Sequence, residues 1–120
     1  MYRVLDESQG AMVGIKIQGP FTSEDYEGLL QYLKDLREEM GTLNLLFDLT
    51  HLKEEGIPQK WSQLAAELQE QAWIHRMAIA GDRPQWVEYA GEDMGTHSHL
   101  EVKNFFPNQI DQAWNWLNKP

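Results

Sequence analysis

The 120-residue sequence contains no cysteine. This absence excludes disulfide bonds, a thiol nucleophile, iron–sulfur clusters held by cysteine and every zinc site that needs a cysteine ligand. Basic residues are also few, with ten against nineteen acidic ones, and they are scattered along the chain. The formal net charge is −9, and so acidic a surface repels phosphate backbones. The composition therefore argues against a nucleic-acid partner.

Long apolar runs are missing as well. The longest, at residues 45–47 and 77–80, fall far short of the roughly 18 residues that a membrane span requires. The chain starts Met-Tyr-Arg-Val-Leu-Asp-Glu, with acidic residues where an export signal needs an apolar segment. Neither a Gly-x-Gly-x-x-Gly nor a Walker-type lysine motif occurs. We expect a cytoplasmic protein with no cofactor and no stable membrane insertion.

The first forty residues predict a hairpin and a helix. Two short apolar segments, at residues 2–6 and 11–18, are separated by a turn of hairpin length and predict an antiparallel pair of strands. Thr22 and Asp25 then form a capping-box pattern. Apolar residues follow at three- and four-residue spacing until Gly41, a typical C-cap, which predicts a helix.

The rest of the chain alternates between strand and helix patterns. The predicted elements are a central strand at 43–49 that is apolar on both faces, a polar loop at 50–56, a second helix from Ile57-Pro58, a strand at 74–80, a third, short helix at 82–91, an edge strand at 100–106 and a last helix from Pro107. The order ββαβαβαβα predicts one α/β domain over residues 1–120. Its five-stranded sheet is mixed and mostly parallel, with an antiparallel edge hairpin and four helices.

Several stretches, in this order, resemble the SpoIIAA-like proteins, bacterial relatives of the STAS domain whose fold is shared with the CRAL-TRIO lipid-transfer domain. The stretches are Gly14-Ile-Lys-Ile-Gln-Gly with Thr22-Ser-Glu-Asp-Tyr, Leu45-Leu-Phe-Asp-Leu, His75-Arg-Met-Ala-Ile-Ala-Gly-Asp, and Val102-Lys-Asn-Phe-Phe with Ala113-Trp-Asn-Trp-Leu. The resemblance covers nearly the whole chain. It implies strands in sequential order and a binding module without established catalytic residues.

One feature of the related STAS regulators is missing here. The anti-sigma antagonists carry a phosphorylatable serine in an Asp-Ser motif just after the strand that corresponds to residues 43–49. This chain has no serine between Ser23 and Ser62, and Thr50 lies too early to replace it. The resemblance therefore does not extend to a phosphorylation switch.

Aromatic side chains are the most prominent candidates for a site. The chain has thirteen, five of them tryptophans, which is a high number for a small core to bury. A pocket between the second and third helices would be lined by Trp61, Leu64, Trp73, Trp86 and Tyr89. The plainer interpretation is that these rings are simply core. Trp116 falls off the apolar stripe of the last helix, and we expect it to be exposed.

Polar residues suggest two further sites. Asp48, Thr50, His51 and Lys53 follow the central strand where α/β sheets place binding loops, and there they predict a partner-binding loop. An Asp–His pair could also orient a general base, but a polar loop before a helix explains the same residues. A second pattern lies near residue 97. His97 and His99 are acceptable metal ligands, although their spacing matches no helix-borne metal motif, and we assign neither metal nor catalytic residues.

We therefore predict a non-enzymatic module that binds an apolar or amphipathic, lipid-like small molecule between the second and third helices. The alternative is a protein-interaction or regulatory module of the anti-sigma-antagonist type without the phosphorylatable serine. A metal-dependent or hydrolytic enzyme is the least favoured alternative. The sequence leaves open whether the domain forms a homodimer.

Overall fold

A computed structural model describes residues 2–6, 8–19, 21–52, 63–64, 66–68, 70–81 and 101–118, with only the backbone described at residues 51 and 52. The strands are β1 (Tyr2–Val4), β2 (Met12–Gly19), β3 (Leu43–Leu52), β4 (Ile74–Ala80) and β5 (Glu101–Phe105). Helix α1 spans Ser23–Met40, and a 3-10 turn at Pro107–Gln109 leads into the C-terminal helix, Ile110–Leu117.

The sheet has five strands in the order β1-β2-β3-β4-β5. Strand β1 is antiparallel to β2, and all the other neighbours are parallel. This arrangement confirms the predicted mixed sheet, the edge hairpin and the sequential strand order. One row of the register crosses all five strands, from Arg3 through Lys16, Asp48 and Ala80 to Phe105.

Local signals position α1 as the sequence predicts. The Asp25 N–H donates to Thr22 Oγ1 at 3.2 Å, and the Thr22 N–H donates to Asp25 Oδ2 at 3.1 Å, which completes the capping box. At the other end Gly41 adopts a φ of 81°, and its N–H donates to the Arg37 carbonyl at 2.7 Å. Only glycine takes this left-handed conformation without steric cost.

Two predicted strand ends are wrong by two residues or more. The central strand does not end at residue 49, because Gln18 of β2 pairs with His51 and Gly19 pairs with Leu52. Residues 50–52 therefore belong to β3 instead of the predicted polar loop, and residues 53–56 of that loop lie outside the described structure. The first strand ends at Val4 instead of residue 6, since a turn follows in which the Ser8 N–H donates to the Leu5 carbonyl at 3.1 Å.

The helices agree with the prediction as far as they are described. Besides α1 and the C-terminal helix, residues 63–64 and 66–68 are helical, within the predicted second helix. The predicted third helix, at 82–91, lies outside the described residues.

The two faces of the sheet bury apolar clusters of different size. The first face, which packs against α1, carries the larger cluster: Val13, Ile15, Ile17, Phe21, Leu29, Leu33, Leu43, Leu45, Phe47, Leu49, Leu64, Leu68, Ile74, Met77 and Ile79. The second face packs against the C-terminal helix, and its cluster is Leu46, Ala78, Ala80, Phe105, Ala113 and Leu117. Because strand side chains alternate between faces, both clusters draw on β3 and β4, which explains why these strands are apolar throughout.

Candidate functional site

The predicted aromatic pocket is only partly within the described structure. Leu64 and Trp73 are described, whereas Trp61, Trp86 and Tyr89 lie outside the described residues. Leu64 is fully buried in the first-face cluster, and Trp73 is half-buried against the same cluster. The structure therefore joins these two residues in one apolar region.

Several contacts hold Trp73 in place. Its indole N–H donates to Gln71 Oε1 at 2.9 Å, and the Arg37 guanidinium lies 5.7 Å from the ring centroid. The Leu43 N–H donates to its carbonyl at 2.8 Å, which places Trp73 at the amino end of the parallel strands. In the described structure Trp73 thus connects α1, β3 and the chain that enters β4.

The predicted partner-binding loop starts inside a strand. The Asp48 carboxylate accepts from the Thr50 hydroxyl at 2.7 Å and from the Thr50 N–H at 3.1 Å, both at Oδ1, and both residues are half-buried. Lys16 is the register partner of Asp48, and Arg3 of β1 is the partner of Lys16. The second face thus carries a polar row at the carboxyl end of β3.

The position of Thr50 beside Asp48 disfavours phosphorylation of Thr50. The hydroxyl of Thr50 is already engaged, and a phosphate on it would place negative charge beside the Asp48 carboxylate. His51 belongs to β3 by its backbone pairing with Gln18, while its side chain and all of Lys53 lie outside the described structure. The proposed Asp–His pair therefore stays a prediction.

A metal site finds no support in the described part of the chain. No group of three or more His, Asp or Glu side chains comes together there. His97 and His99 lie outside the described residues, and His75 is exposed on β4.

Trp116 is less exposed than the sequence predicts. Instead of standing free in solvent, it is half-buried, with its ring centroid 6.0 Å from that of Phe105 at an interplanar angle of 54°. The Arg76 guanidinium lies 5.7 Å from the indole centroid, and Arg76 Nη1 donates to the Trp116 carbonyl at 2.9 Å. Since β5 and the C-terminal helix meet here, the ring that falls off the helix stripe is covered by the sheet edge.

Sequence reasoning missed this arrangement around Arg76. Its Nε also donates to Glu101 Oε2 at 3.2 Å, and the two residues are register partners on β4 and β5. The opposite charges could have signalled the contact, but only once the register of the two strands was known.

Two surface grooves are formed by described residues. The first lies between β5 and the C-terminal helix, has a volume of about 220 Å³ and is lined by Lys103, Phe105, Gln112, Asn115 and Trp116. We call it the β5 groove. The second lies on α1, has a volume of about 160 Å³ and is lined by Tyr32, Asp35, Leu36 and Glu39.

Comparison with known proteins agrees with the architecture. A family model described as SpoIIAA-like matches residues 12–118. The chain belongs to the SpoIIAA-like family. A solved structure that it resembles is an uncharacterised protein of the DUF3478 family, with a SpoIIAA-like fold, from Shewanella loihica PV-4. The TM-score is 0.64 at 25% sequence identity, over 97% of this chain and 93% of that one. No curated protein matches the chain.

Membership in the SpoIIAA-like family, together with this fold, supports a binding or regulatory module in general terms. None of the described helices combines the length and the apolar character that crossing a bilayer would require.

Proposed function

We propose that this SpoIIAA-like domain is a non-enzymatic binding module whose ligand is an amphipathic, lipid-like small molecule held on the first face of the sheet. Leu64 and Trp73 belong to the apolar region that would receive the chain of the ligand. The proposal adds Trp61, Trp86 and Tyr89, which lie outside the described residues.

The observation that supports the proposal most is an unsatisfied polar atom on the first face. Asn104 lies on β5 beside its register partner Ile79, and its Oδ1 is buried without a hydrogen-bond partner among the described residues. Asn104 shares its face with Val102, which packs against the first-face cluster. Leaving a buried acceptor unpaired costs about 1–3 kcal/mol, so a ligand that donates a hydrogen bond there would gain affinity.

The test compares two ligands that differ in their head group. Native mass spectrometry and tryptophan fluorescence titrations would use 1-dodecanol, which donates a hydrogen bond, and dodecanoate, which only accepts. We expect both ligands to bind the wild type. Asn104→Leu should weaken dodecanol binding by about fivefold, which corresponds to one net hydrogen bond, and should weaken dodecanoate binding less. Asn108→Leu, an exposed position in the 3-10 turn, is the matched control. If neither probe gives a bound species or a spectral change, the proposal fails.

A second candidate function is a protein-interaction module at the carboxyl end of β3. The polar row of Asp48, Thr50 and Lys16 favours it, because half-buried charged groups beside a strand end suit recognition of a polar partner. Asp48→Ala should then lose a stoichiometric partner that co-purifies with the wild type from native cells, while Asp35→Ala on α1 should retain it. Failure of the wild type to retain any stoichiometric partner would count against this candidate.

A further inference from the structure

The β5 groove combines an aromatic floor with exposed polar side chains along its rims. Its floor is formed by Phe105 and Trp116, whose rings are in tilted contact. Lys103, Gln112 and Asn115 are exposed along the rims. None of the three makes a hydrogen bond or an ion pair with another described residue. The groove thus offers one ammonium and two carboxamides to a ligand.

The charge of this groove is opposite to that of the whole chain. The protein carries a net charge of −9, yet among the described residues that line the β5 groove Lys103 alone is charged, and its Nζ lies 5.4 Å from the Phe105 centroid. The nearest acidic residue along the strand is Glu101, whose carboxylate already accepts from Arg76 at 3.2 Å. At physiological salt charges more than about 8 Å apart are largely screened, so the local ammonium governs what binds.

Strand β5 is one of the two outer strands of the described sheet, and no other described strand pairs with its outer edge. The Gly81 N–H donates to the Phe105 carbonyl at 3.0 Å, which shows that the backbone groups of Phe105 face β4. Because the groups of successive residues alternate in direction, Val102 and Asn104 direct theirs to the outer edge. An extended segment could take up these hydrogen bonds.

We propose that the β5 groove binds an extended, acidic segment of a partner protein, which adds to β5 as a sixth strand. One acidic side chain of the segment pairs with Lys103, and an apolar side chain two positions away rests on Phe105 and Trp116. This spacing follows from strand geometry, since residues two apart share a face and directly opposite residues interact. The recognised pattern is therefore an acidic and an apolar residue separated by one position.

The size and charge of the groove favour such a segment over other occupants. A volume of about 220 Å³ is below the roughly 300 Å³ at which small-molecule sites begin, but it suffices for single side chains. A second copy of the chain fits poorly, because its β5 offers Glu101 as its one acidic residue and Arg76 already binds that residue. Strand addition combined with side-chain pockets is a common way of recognising extended peptides.

The experiment uses the full chain and three capped peptides. The first, acetyl-Thr-Glu-Thr-Leu-Thr-amide, has the proposed spacing. The second replaces its Glu with Lys, and the third, acetyl-Thr-Thr-Glu-Leu-Thr-amide, places Glu and Leu on opposite faces. Binding is followed by ¹H–¹⁵N NMR. We expect the first peptide to shift the backbone amides of β5 and the indole N–H of Trp116, and the other two to shift them at least about fivefold less at equal concentration.

Charge reversal supplies the decisive comparison. Lys103→Glu should abolish binding of the Glu peptide and create binding of the Lys peptide, whereas Lys34→Glu, an exposed change on α1, should alter neither. Melting temperatures of both variants serve as the folding control. The proposal is overturned if the Glu peptide leaves the β5 and Trp116 signals unchanged, or if Lys103→Glu has no more effect than Lys34→Glu. Either outcome is independent of the first-face ligand.

Discussion

Gly14 of β2 lies directly beneath the indole of Trp114. A methyl group added there would stand 2.7 Å from Trp114 Cζ2 and 2.9 Å from Leu5 Cδ1. Real side chains do not approach so closely, so Trp114 or the sheet must shift. We expect Gly14→Ala to destabilise the fold by about 1–3 kcal/mol, as overpacking of a core does, measured by urea unfolding.

Gly28 provides the control for that substitution. It lies inside α1, and an added methyl group would meet the Tyr2 hydroxyl at 3.1 Å, which is close but adjustable. Replacing a helical glycine with alanine gains about 1 kcal/mol in helix propensity. Gly28→Ala should be neutral or stabilising. If both variants lose the same stability, the contact with Trp114 is not what makes glycine necessary at residue 14.

Asp25 gives the stability of α1 a dependence on pH. Partial burial alone would raise its pKa, but hydrogen bonds, including those from the Thr22 backbone and hydroxyl, outweigh burial and lower the pKa below its usual value. The ionised carboxylate therefore stabilises the folded state above the unfolded pKa of about 4, and this contribution disappears as the pH falls through the folded pKa.

Asp25→Asn tests this dependence. We expect a loss of about 0.5–1 kcal/mol at pH 7, the usual scale of a charge at a helix amino end. The difference from the wild type should shrink as the pH falls below about 4 and vanish only below the folded pKa. Urea unfolding at a series of pH values measures it. The control is Glu24→Gln in the same turn. The Glu24 side chain is exposed and forms no hydrogen bond with the other described residues, so this variant should change the pH dependence of stability less. Parallel profiles for wild type and Asp25→Asn would contradict the expectation.

Arg76 of β4 links the sheet to the C-terminal helix through its side-chain contacts. Its guanidinium donates to the Trp116 carbonyl and to Glu101, and it covers the indole ring. The arginine side chain is 12% exposed and that of Glu101 is 58% exposed. Arg76→Met should cost about 2 kcal/mol, because the helix end loses a charged donor, whereas Glu101→Gln removes an exposed ion pair and should cost about 1 kcal/mol or less. Equal losses in thermal unfolding would show that the ion pair alone matters.

The boundaries of α1 were predicted correctly because they depend on signals within one element. Thr22, Asp25 and Gly41 define α1 through contacts with residues at most four positions away, so the sequence was sufficient there. The extension of β3 to Leu52 depends on pairing with the end of β2, and the covering of Trp116 depends on the register of β4 and β5. Such long-range pairings have no local signature in a single sequence.

The candidate site follows the same division. Leu64 and Trp73 were selected for a ligand pocket because they lie on the predicted second helix and at its end. The structure places both in the first-face region, and their role in ligand binding stays a prediction. The buried Asn104 oxygen, which is unsatisfied among the described residues, and the position of Lys103 over Phe105 were missed. Both depend on the arrangement of neighbouring strands and the C-terminal helix, which a single sequence does not reveal.

At the level of the whole molecule, the two faces of the sheet differ in how much apolar surface they bury. Among the described residues, fifteen buried ones form the first-face cluster and six the second. Since local opening is easiest where few apolar contacts are lost, the eight-residue C-terminal helix should open before α1 or β3 does. We expect its amides to exchange at least about tenfold faster than those of β3 in hydrogen–deuterium exchange mass spectrometry. Uniform protection across both faces would argue for a single cooperative unit.

The sequential strand order also bears on how the chain assembles on the ribosome. Each described strand after β1 pairs with the described strand that precedes it along the chain, so none of these five has to insert between two others. The β1–β2 hairpin can form first. Each later strand can then pair with the edge of the existing sheet as soon as the ribosome has synthesised that strand. Strand β5 emerges last and therefore leaves its own outer edge as the growing end of the sheet, the place where a strand from another chain could continue the same series.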